Sequence, residues 1–266
     1  MKRTLCAVGL AALCLTGAAP AGAGTLKCPP DSVKVGNACI DLYEASVWQI
    51  APSNTSLVRK VQAGKATLAD LTGGGATQLS TSPSCTPAFP TNFPNDGNWT
   101  PVLGSSPPSP GVYAVSISGV KRSCATWFQA NEACAVSGKR LIRNGEWQRA
   151  AVGTPDGAPC IVSAGAPGPT GTFPGCVSSW GVFDMVGNVW EWVEDWADLS
   201  DGCTHWSAGF GNDLSCFGGP GSSHSNLPAA LLRGGGWYDG TDAGVFAVTT
   251  DQPWDSFSNI GFRCAR

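Results

Sequence analysis

The chain has 266 residues, 42% of them hydrophobic, and sets 16 basic against 19 acidic side chains for a formal charge of −3. Lys and Arg are scattered in runs no longer than two, which excludes the basic face that a nucleic-acid partner requires. With 35 Gly and 20 Pro the chain reads as turns, loops and short elements rather than long helices.

Residues 1–23 have the form of a secretory signal peptide: Lys2 and Arg3, an apolar run from Leu5 to Leu15, and the small residues Ala21-Gly22-Ala23 at a cleavage site. That run is too short to span a bilayer, and no later segment is apolar enough to cross one. The expectation is an exported protein that is not transmembrane: periplasmic, surface-held or secreted. Residues 24–266 then read as one domain, large enough for a full core. Of twelve cysteines, Cys6 and Cys14 fall in the signal and ten remain. An even number in an exported chain points to disulfides. Cys28/Cys39, Cys160/Cys176 and Cys203/Cys216 each bracket a short loop. There is no Cys-x-x-Cys pair, and the only histidines are His205 and His224, so a zinc site lacks ligands.

In chain order, residues 28–48 read as a strand, a turn at Gly36-Asn37, and a second strand through Ile40, Leu42 and Tyr43. Residues 50–110 read as an irregular insertion, with a helix near Ala63–Leu71 and a Ser/Thr/Pro-rich stretch to Pro110. Alternation over Val112–Val120 predicts a strand. Ala125–Ser137 predicts a helix with Trp127, Ala130, Cys134 and Ser137 on one face and Gly138 at its C-terminus. Gly145–Ala151 predicts a second helix with Asn144 as N-cap and Glu146 in the first turn. Loops and short strands follow Val152, with no repeat period of about 20–50 residues.

Five blocks carry a family resemblance: Ile40–Ser46 (IDLYEAS), Ala125–Leu141, Asn144–Ala151 (NGEWQRAA), Asp184–Trp192 (DMVGNVWEW), and Arg233–Trp237 (RGGGW) taken with Gly261–Ala265 (GFRCA). Together they resemble the formylglycine-generating, or sulfatase-modifying factor, family, a branch of the C-type lectin-like fold. The resemblance implies an α+β domain with two helices, short strands and many loops. It also implies a disulfide between Cys134 and Cys264, joining the first of these helices to the last strand; Cys85/Cys124 then pair by elimination. The family's calcium loop maps onto Asp184, Met185, Gly187 and Val189. Calcium takes hard oxygen ligands, and a Gly-Asn turn can aim carbonyls inward; alternatively, Asp184 and Asn188 simply cap a tight turn.

The chain departs from the family's enzymes in one respect. Those enzymes hold copper on two cysteines shortly after the RGG segment, whereas Trp237–Asn259 contains no cysteine. Soft thiolate ligation of copper lacks its ligands, so no copper is expected. The chain is most similar to the variable proteins of diversity-generating retroelements, whose final stretch varies inside a fixed frame. Here Leu231–Arg266 is that stretch, and the frame is Leu232-Arg233-Gly234-Gly235 and Ile260-Gly261-Phe262-Arg263. The resemblance implies a ligand-binding surface made by Tyr238, Asp239, Asp242, Asp251, Gln252, Trp254, Asp255 and Phe257, facing a surface protein or glycan of another cell or a phage. Rigid aromatics beside short polar side chains suit such a surface. Trp254 and Phe257 have a second reading as core residues of the last hairpin.

The remaining notable residues read as structural. Trp190, Trp192 and Trp196 are spaced as core-facing aromatics, Glu191 as a buried hydrogen-bonding acid, Arg233 as an anchor of the hairpin, and His205 as a surface residue. Gly-x-Ser-x-Gly is absent, which leaves a triad hydrolase without support. The sequence thus predicts an exported, disulfide-bonded display or adhesion protein. A formylglycine-generating oxidase and a fixed structural or carbohydrate-binding module are the alternatives.

Overall fold

A computed structural model describes residues 26–200, 202–217 and 224–266. The expected signal segment, with Cys6 and Cys14, lies outside the described residues.

Strand β1 (Ser32–Val35) folds back on β2 (Ala38–Asp41) with Val35 opposite Ala38, so Gly36-Asn37 is a two-residue turn. Gly36 takes φ +63°, the left-handed conformation that such hairpins demand. The second strand stops at Asp41, short of the expected Leu42 and Tyr43. There the chain changes sheets: Tyr43 donates its N–H to Ser116 Oγ at 3.0 Å. Strand β3 (Ala45–Gln49) then runs between β4 (Thr77–Leu79) and β5 (Val112–Ser116). Strand β5 is buried along its whole length and ends four residues before the expected Val120. The chain turns at Gly119, φ +77°, whose N–H donates to Thr170 O at 2.8 Å.

The insertion is more regular than its composition suggests. In place of the one helix expected near Ala63–Leu71 there are two, the first ending just before that stretch and the second overlapping its last four residues. Helix α1 (Thr55–Gln62) begins with Asn54 accepting the Leu57 N–H, and the chain leaves it through Gly64 at φ +63°. Helix α2 (Leu68–Gly73) restarts on a capping box in which Thr67 Oγ1 accepts the Asp70 N–H at 3.1 Å and Asp70 Oδ2 accepts the Thr67 N–H at 3.0 Å. The apolar residues Leu57, Val61 and Leu71 pack on Trp48, Ile50, Tyr113 and Val115 of the β4-β3-β5 sheet.

Helix α3 (Trp127–Val136) has the buried face Ala130, Ala133 and Cys134, with a Thr126–Gln129 capping box at its start and Gly138 at φ +69° after its end. Strand β6 (Arg140–Leu141) leads to α4 (Asn144–Ala150). Asn144 is not the N-cap. It is the first helical residue, and its N–H donates to Asp195 at 2.6 Å, while Glu146 reaches back to the N–H of Arg143 at 3.2 Å. A carboxylate from a distant strand thus does the work expected of the Asn side chain.

The largest sheet has the order β12 (Ile260–Phe262), β7 (Trp190–Ser200), β10 (His224–Arg233), β11 (Val248–Asp251), β9 (Leu214–Ser215), β8 (Thr204–His205). Strand β12 runs parallel to β7 with Ile260 opposite Trp190, whereas β10 is antiparallel to it. The last strand, β13 (Cys264–Ala265), lies between β2 and β6 in the sheet β1-β2-β13-β6. The core between these layers contains Trp192, Phe262, Leu232, Leu141 and Phe93. The disulfides are Cys28–Cys39, Cys85–Cys124, Cys134–Cys264, Cys160–Cys176 and Cys203–Cys216, the five pairs expected. Trp190 and Trp192 are buried, but Trp196 is exposed: β7 outruns the core after Val193, and the Trp196 ring packs edgewise on Trp127 at 4.8 Å.

Buried charge joins the chain's first hairpin to its last residues. Lys139 Nζ meets both Asp41 oxygens at 2.8 Å and Asp31 at 2.7 Å, and Arg266 meets Asp31 at 3.0 Å. Burial, with the Asp31 charge adding to it and Lys139 opposing, lifts the Asp41 carboxyl to about 6. Between its ordinary value of 3.8 and about 6 the fold therefore holds a proton that the unfolded chain has lost. This group's contribution to stability is complete below pH about 4 and falls as pH rises through about 6. Asp41→Asn is expected to remove a fall of about 1.4 kcal/mol per pH unit across that window, read from unfolding free energies at pH 4, 5 and 6. An unchanged slope would mean that Asp41 is ionised throughout.

Candidate functional site

Two loops between β10 and β12 form a continuous surface. The first leaves β10 through Gly234 and Gly235, at φ +95° and +85°. Space as well as conformation selects glycine here: a Cβ on Gly234 would stand 3.0 Å from Met185 O, and one on Gly235 would overlap Ala243 Cα at 2.5 Å. Arg233 anchors the loop's base. Its NH1 donates to Ala247 O at 3.0 Å and Phe246 O at 3.3 Å, its NH2 to Val245 O at 3.2 Å and to Gln148, and its guanidinium lies 4.8 Å over Trp147. Burial lowers its pKa to about 10.

The Asp184–Val189 segment is the floor under this loop. Asp184, Gly187 and Asn188 all take left-handed φ, at +57°, +72° and +59°. That path turns the backbone outward: the Gly187 N–H donates to Gly234 O at 3.1 Å, and Asn188 O accepts the Trp237 N–H at 3.1 Å. The Asn188 side chain donates to Glu44 Oε2 at 2.5 Å and accepts from Gly168 N at 3.0 Å and Arg122 at 3.3 Å. A second wall comes from residues 160–164, where Val162 O accepts the Gly240 N–H and the Ala164 N–H donates to Trp237 O, both at 2.7 Å.

On this base the aromatic side chains point outward. Tyr238 is 54% exposed, Phe257 49% and Trp254 42%, so the core reading of Trp254 and Phe257 does not hold. Asn259 Nδ2 donates to Tyr238 OH at 2.6 Å and joins the two loops. Burial and the nearby Asp239 charge push the Tyr238 phenol above its usual pKa. Asp239 is half-buried: it accepts the Gly236 N–H at 2.7 Å, so it shapes the turn as well as lining it, and burial raises its pKa. Asp242 is half-exposed and meets His205 Nε2 at 3.0 Å; His205 is exposed, as expected. Asp251, Gln252 and Asp255 are half-exposed; Asp251 takes the Gln252 N–H at 2.8 Å, and burial with the nearby Asp255 charge raises its pKa. The Pro253 carbonyl accepts the Trp127 N–H at 3.0 Å, which seats the second loop on the start of α3.

Sequence reasoning missed two features here. Trp206, Phe210 and Phe246 form an aromatic cluster with ring centroids 5.1–5.8 Å apart beside the first loop; two aromatics inside the short Cys203–Cys216 loop were the available signal. The insertion also reaches the surface: Ser82 Oγ donates to Ser258 O at 2.5 Å, and a groove of about 610 Å³ lies between Phe89, Pro90 and Pro94 on one side and Trp254 and Ser256 on the other.

The Asp184 loop was also expected to bind calcium, and its donors are of the kind calcium takes. Asp184 Oδ2 accepts from Thr170 Oγ1 at 2.9 Å and Gly171 N at 2.7 Å, which leaves Oδ1 unbonded. Among the described residues the carbonyls of Met185, Gly187 and Val189 accept no hydrogen bond. Burial raises the Asp184 pKa. No three His, Cys, Asp or Glu side chains gather as a metal cluster among the described residues.

Residues 162–266, which include both loops and the Asp184 floor, match the family of sulfatase-modifying factor enzyme 1-like domains. Over this segment the chain is similar to that family. The match agrees with the resemblance read from the motifs of this segment, and the elements of the chain are of the expected α+β kind. Comparison with curated proteins returned no match. Among solved structures, the chain is similar to the Major Tropism Determinant I1 variant, at 21% identity over 89% of this chain and 52% of that one, TM-score 0.48. It is also similar to Treponema denticola variable protein 1, at 24% identity over 48% and 47% of the two chains, TM-score 0.33. PvdO from Pseudomonas aeruginosa matches at 23% identity over 55% and 62%, TM-score 0.38. The chain spans about half the length of the tropism determinant structures it matches.

Gly235→Ala is expected to cost on the order of 1–3 kcal/mol, from the strained φ and the overlap with Ala243. Chemical denaturation measures it, and an unchanged midpoint would show that the loop yields without cost.

Proposed function

We propose that the chain is an exported, non-enzymatic ligand-binding protein of the variable type, whose two C-terminal loops meet a surface protein or glycan of another cell or a phage. The observation that carries this reading is three large aromatic side chains held outward, Tyr238 on a loop fixed from below by Asn188, Gly187 and Arg233, and Trp254 and Phe257 on a loop seated on α3 through Pro253. Rigid aromatics give much contact area for little lost conformational freedom, and the polar residues between them supply adjustable hydrogen bonds. Among the described residues all ten cysteines, Cys28 to Cys264, are in disulfides, which supports a non-enzymatic reading over copper-thiolate chemistry. Five disulfides favour an oxidising compartment. No helix among the described residues is long and apolar enough to cross a membrane.

Calcium held by Asp184 Oδ1 and the carbonyls of Met185, Gly187 and Val189 belongs to the same proposal; the unbonded oxygens support it. The ion would be structural and would stiffen the floor of the surface.

Tyr238→Ala, Trp254→Ala and Phe257→Ala are each expected to change stability by about 0.5 kcal/mol or less, as exposed substitutions do. Combined, they are expected to abolish binding of the labelled protein to the cells or phage that the wild type binds. Unfolding of the triple variant, or undiminished binding, would overturn the assignment. The diversification itself is tested in DNA. A near-copy of codons 230–266 that differs only where the copy carries adenine, close to a reverse transcriptase gene, is the expected finding; its absence leaves a fixed binding module.

A further inference from the structure

A buried carboxylate outside the Asp184 loop also has one oxygen without a partner among the described residues. Asp213 ends the loop closed by Cys203–Cys216, and its side chain is fully removed from solvent. Its Oδ2 accepts the Phe246 N–H at 2.7 Å, but Oδ1 has no hydrogen-bond partner among the described residues. The carboxylate is wedged between two glycines, and a Cβ on either Gly211 or Gly244 would collide with it. A second carboxylate faces the same point. A Cβ on Gly211 would stand 3.1 Å from Asp156 Oδ2 and closer still to Asp213 Oδ1. Asp156 is exposed, and its Oδ1 accepts the Val245 N–H at 3.3 Å. Neither acid forms an ion pair among the described residues. The nearest buried cation, Arg233, directs NH1 and NH2 to the carbonyls of Val245, Phe246 and Ala247 and to Gln148, while its Nε has no hydrogen-bond partner among the described residues.

An unpaired buried oxygen bears its desolvation cost without return, and a like charge beside it adds repulsion. A hard divalent cation relieves both at once. We propose that Asp156 and Asp213 hold a calcium ion, which fastens the Cys203–Cys216 loop to the Gly244–Ala247 turn. The donors are all oxygen, which favours calcium over zinc. The exposed side of Asp156 admits the waters that complete calcium's six to eight ligands. Trp206 donates its N–H to Asp213 O at 2.9 Å, so the ion sits under the Trp206–Phe210–Phe246 cluster. It would therefore order a second aromatic patch at the rim of the ligand surface. The site is separate from the Asp184 loop and does not depend on what the surface binds.

The test is calcium titration of chelator-stripped protein by calorimetry, with tryptophan-sensitised terbium emission as a second readout, on wild type, Asp156→Asn and Asp184→Asn. Asp156 is at the surface, so its substitution leaves the fold intact. The expected result is that Asp156→Asn loses one equivalent of calcium that Asp184→Asn retains, and that Trp206→Phe weakens the terbium signal. Calcium should also slow proteolysis of the Cys203–Cys216 loop in wild type and Asp184→Asn, but not in Asp156→Asn. An Asp156→Asn isotherm identical to wild type would overturn the proposal. If wild type binds one equivalent that Asp184→Asn abolishes, this site fails and the Asp184 site stands. If Asp156→Asn abolishes the only equivalent, the reverse holds.

Discussion

One buried ion pair, Glu191 with Arg263, fixes where the surface-bearing sheet meets the rest of the molecule. Glu191 Oε2 accepts from Trp147 Nε1 at 2.8 Å and Arg263 Nε at 2.7 Å, while Oε1 takes Arg263 NH2. Arg263 continues to Asp41 O at 3.2 Å and Phe183 O at 2.9 Å. Strand β7, helix α4, the end of β2 and the approach to the Asp184 loop thus converge on two side chains. Burial opposes the charge on Arg263, but Glu191 outweighs it and keeps the guanidinium above its ordinary pKa. Breaking such a pair by removing one partner typically costs about 3–5 kcal/mol, because the other charge is left stranded. The pair follows from the parallel register of β12 on β7, which sets Gly261 opposite Glu191 and brings Arg263 alongside.

Much of this was legible in the sequence because the C-terminal motifs are dense with residues that have a single physical use. Gly234 and Gly235 of the Arg233–Trp237 segment have no room for a Cβ, Asn188 uses both ends of its amide, and the Arg of Gly-Phe-Arg-Cys finds the buried Glu191 carboxylate. The hairpin turn at Gly36-Asn37 and the face of α3 were readable for the same reason, since local chemistry decides them. Cys134–Cys264 was reached only through the family resemblance; spacing alone could not have joined residues 130 positions apart.

What the sequence hid was decided by tertiary partners. The cap of α4 is a backbone-to-Asp195 bond from another element, so Asn144 was a misleading signal. Trp196 fits the alternation of Trp190 and Trp192, yet the strand has left the core by that point, and alternation cannot report where a core stops. Asp239 resembles any exposed acid in a glycine-rich turn until Gly236 is seen to hold it. In the insertion the reverse happened: the capping residues Asn54, Thr67 and Asp70 were present in the sequence but were outweighed by composition.

The anchoring of both surface loops, at Arg233 before the first and at Ile260–Arg263 after the second, bears on the kinetics of any encounter. The backbone does not have to be ordered when a partner arrives, so little conformational entropy is lost in forming the complex. Exchanging side chains on a fixed frame leaves the docking geometry unchanged. Versions of this surface with different aromatic and polar sets would then meet their partners at similar rates and differ mainly in how long they stay bound.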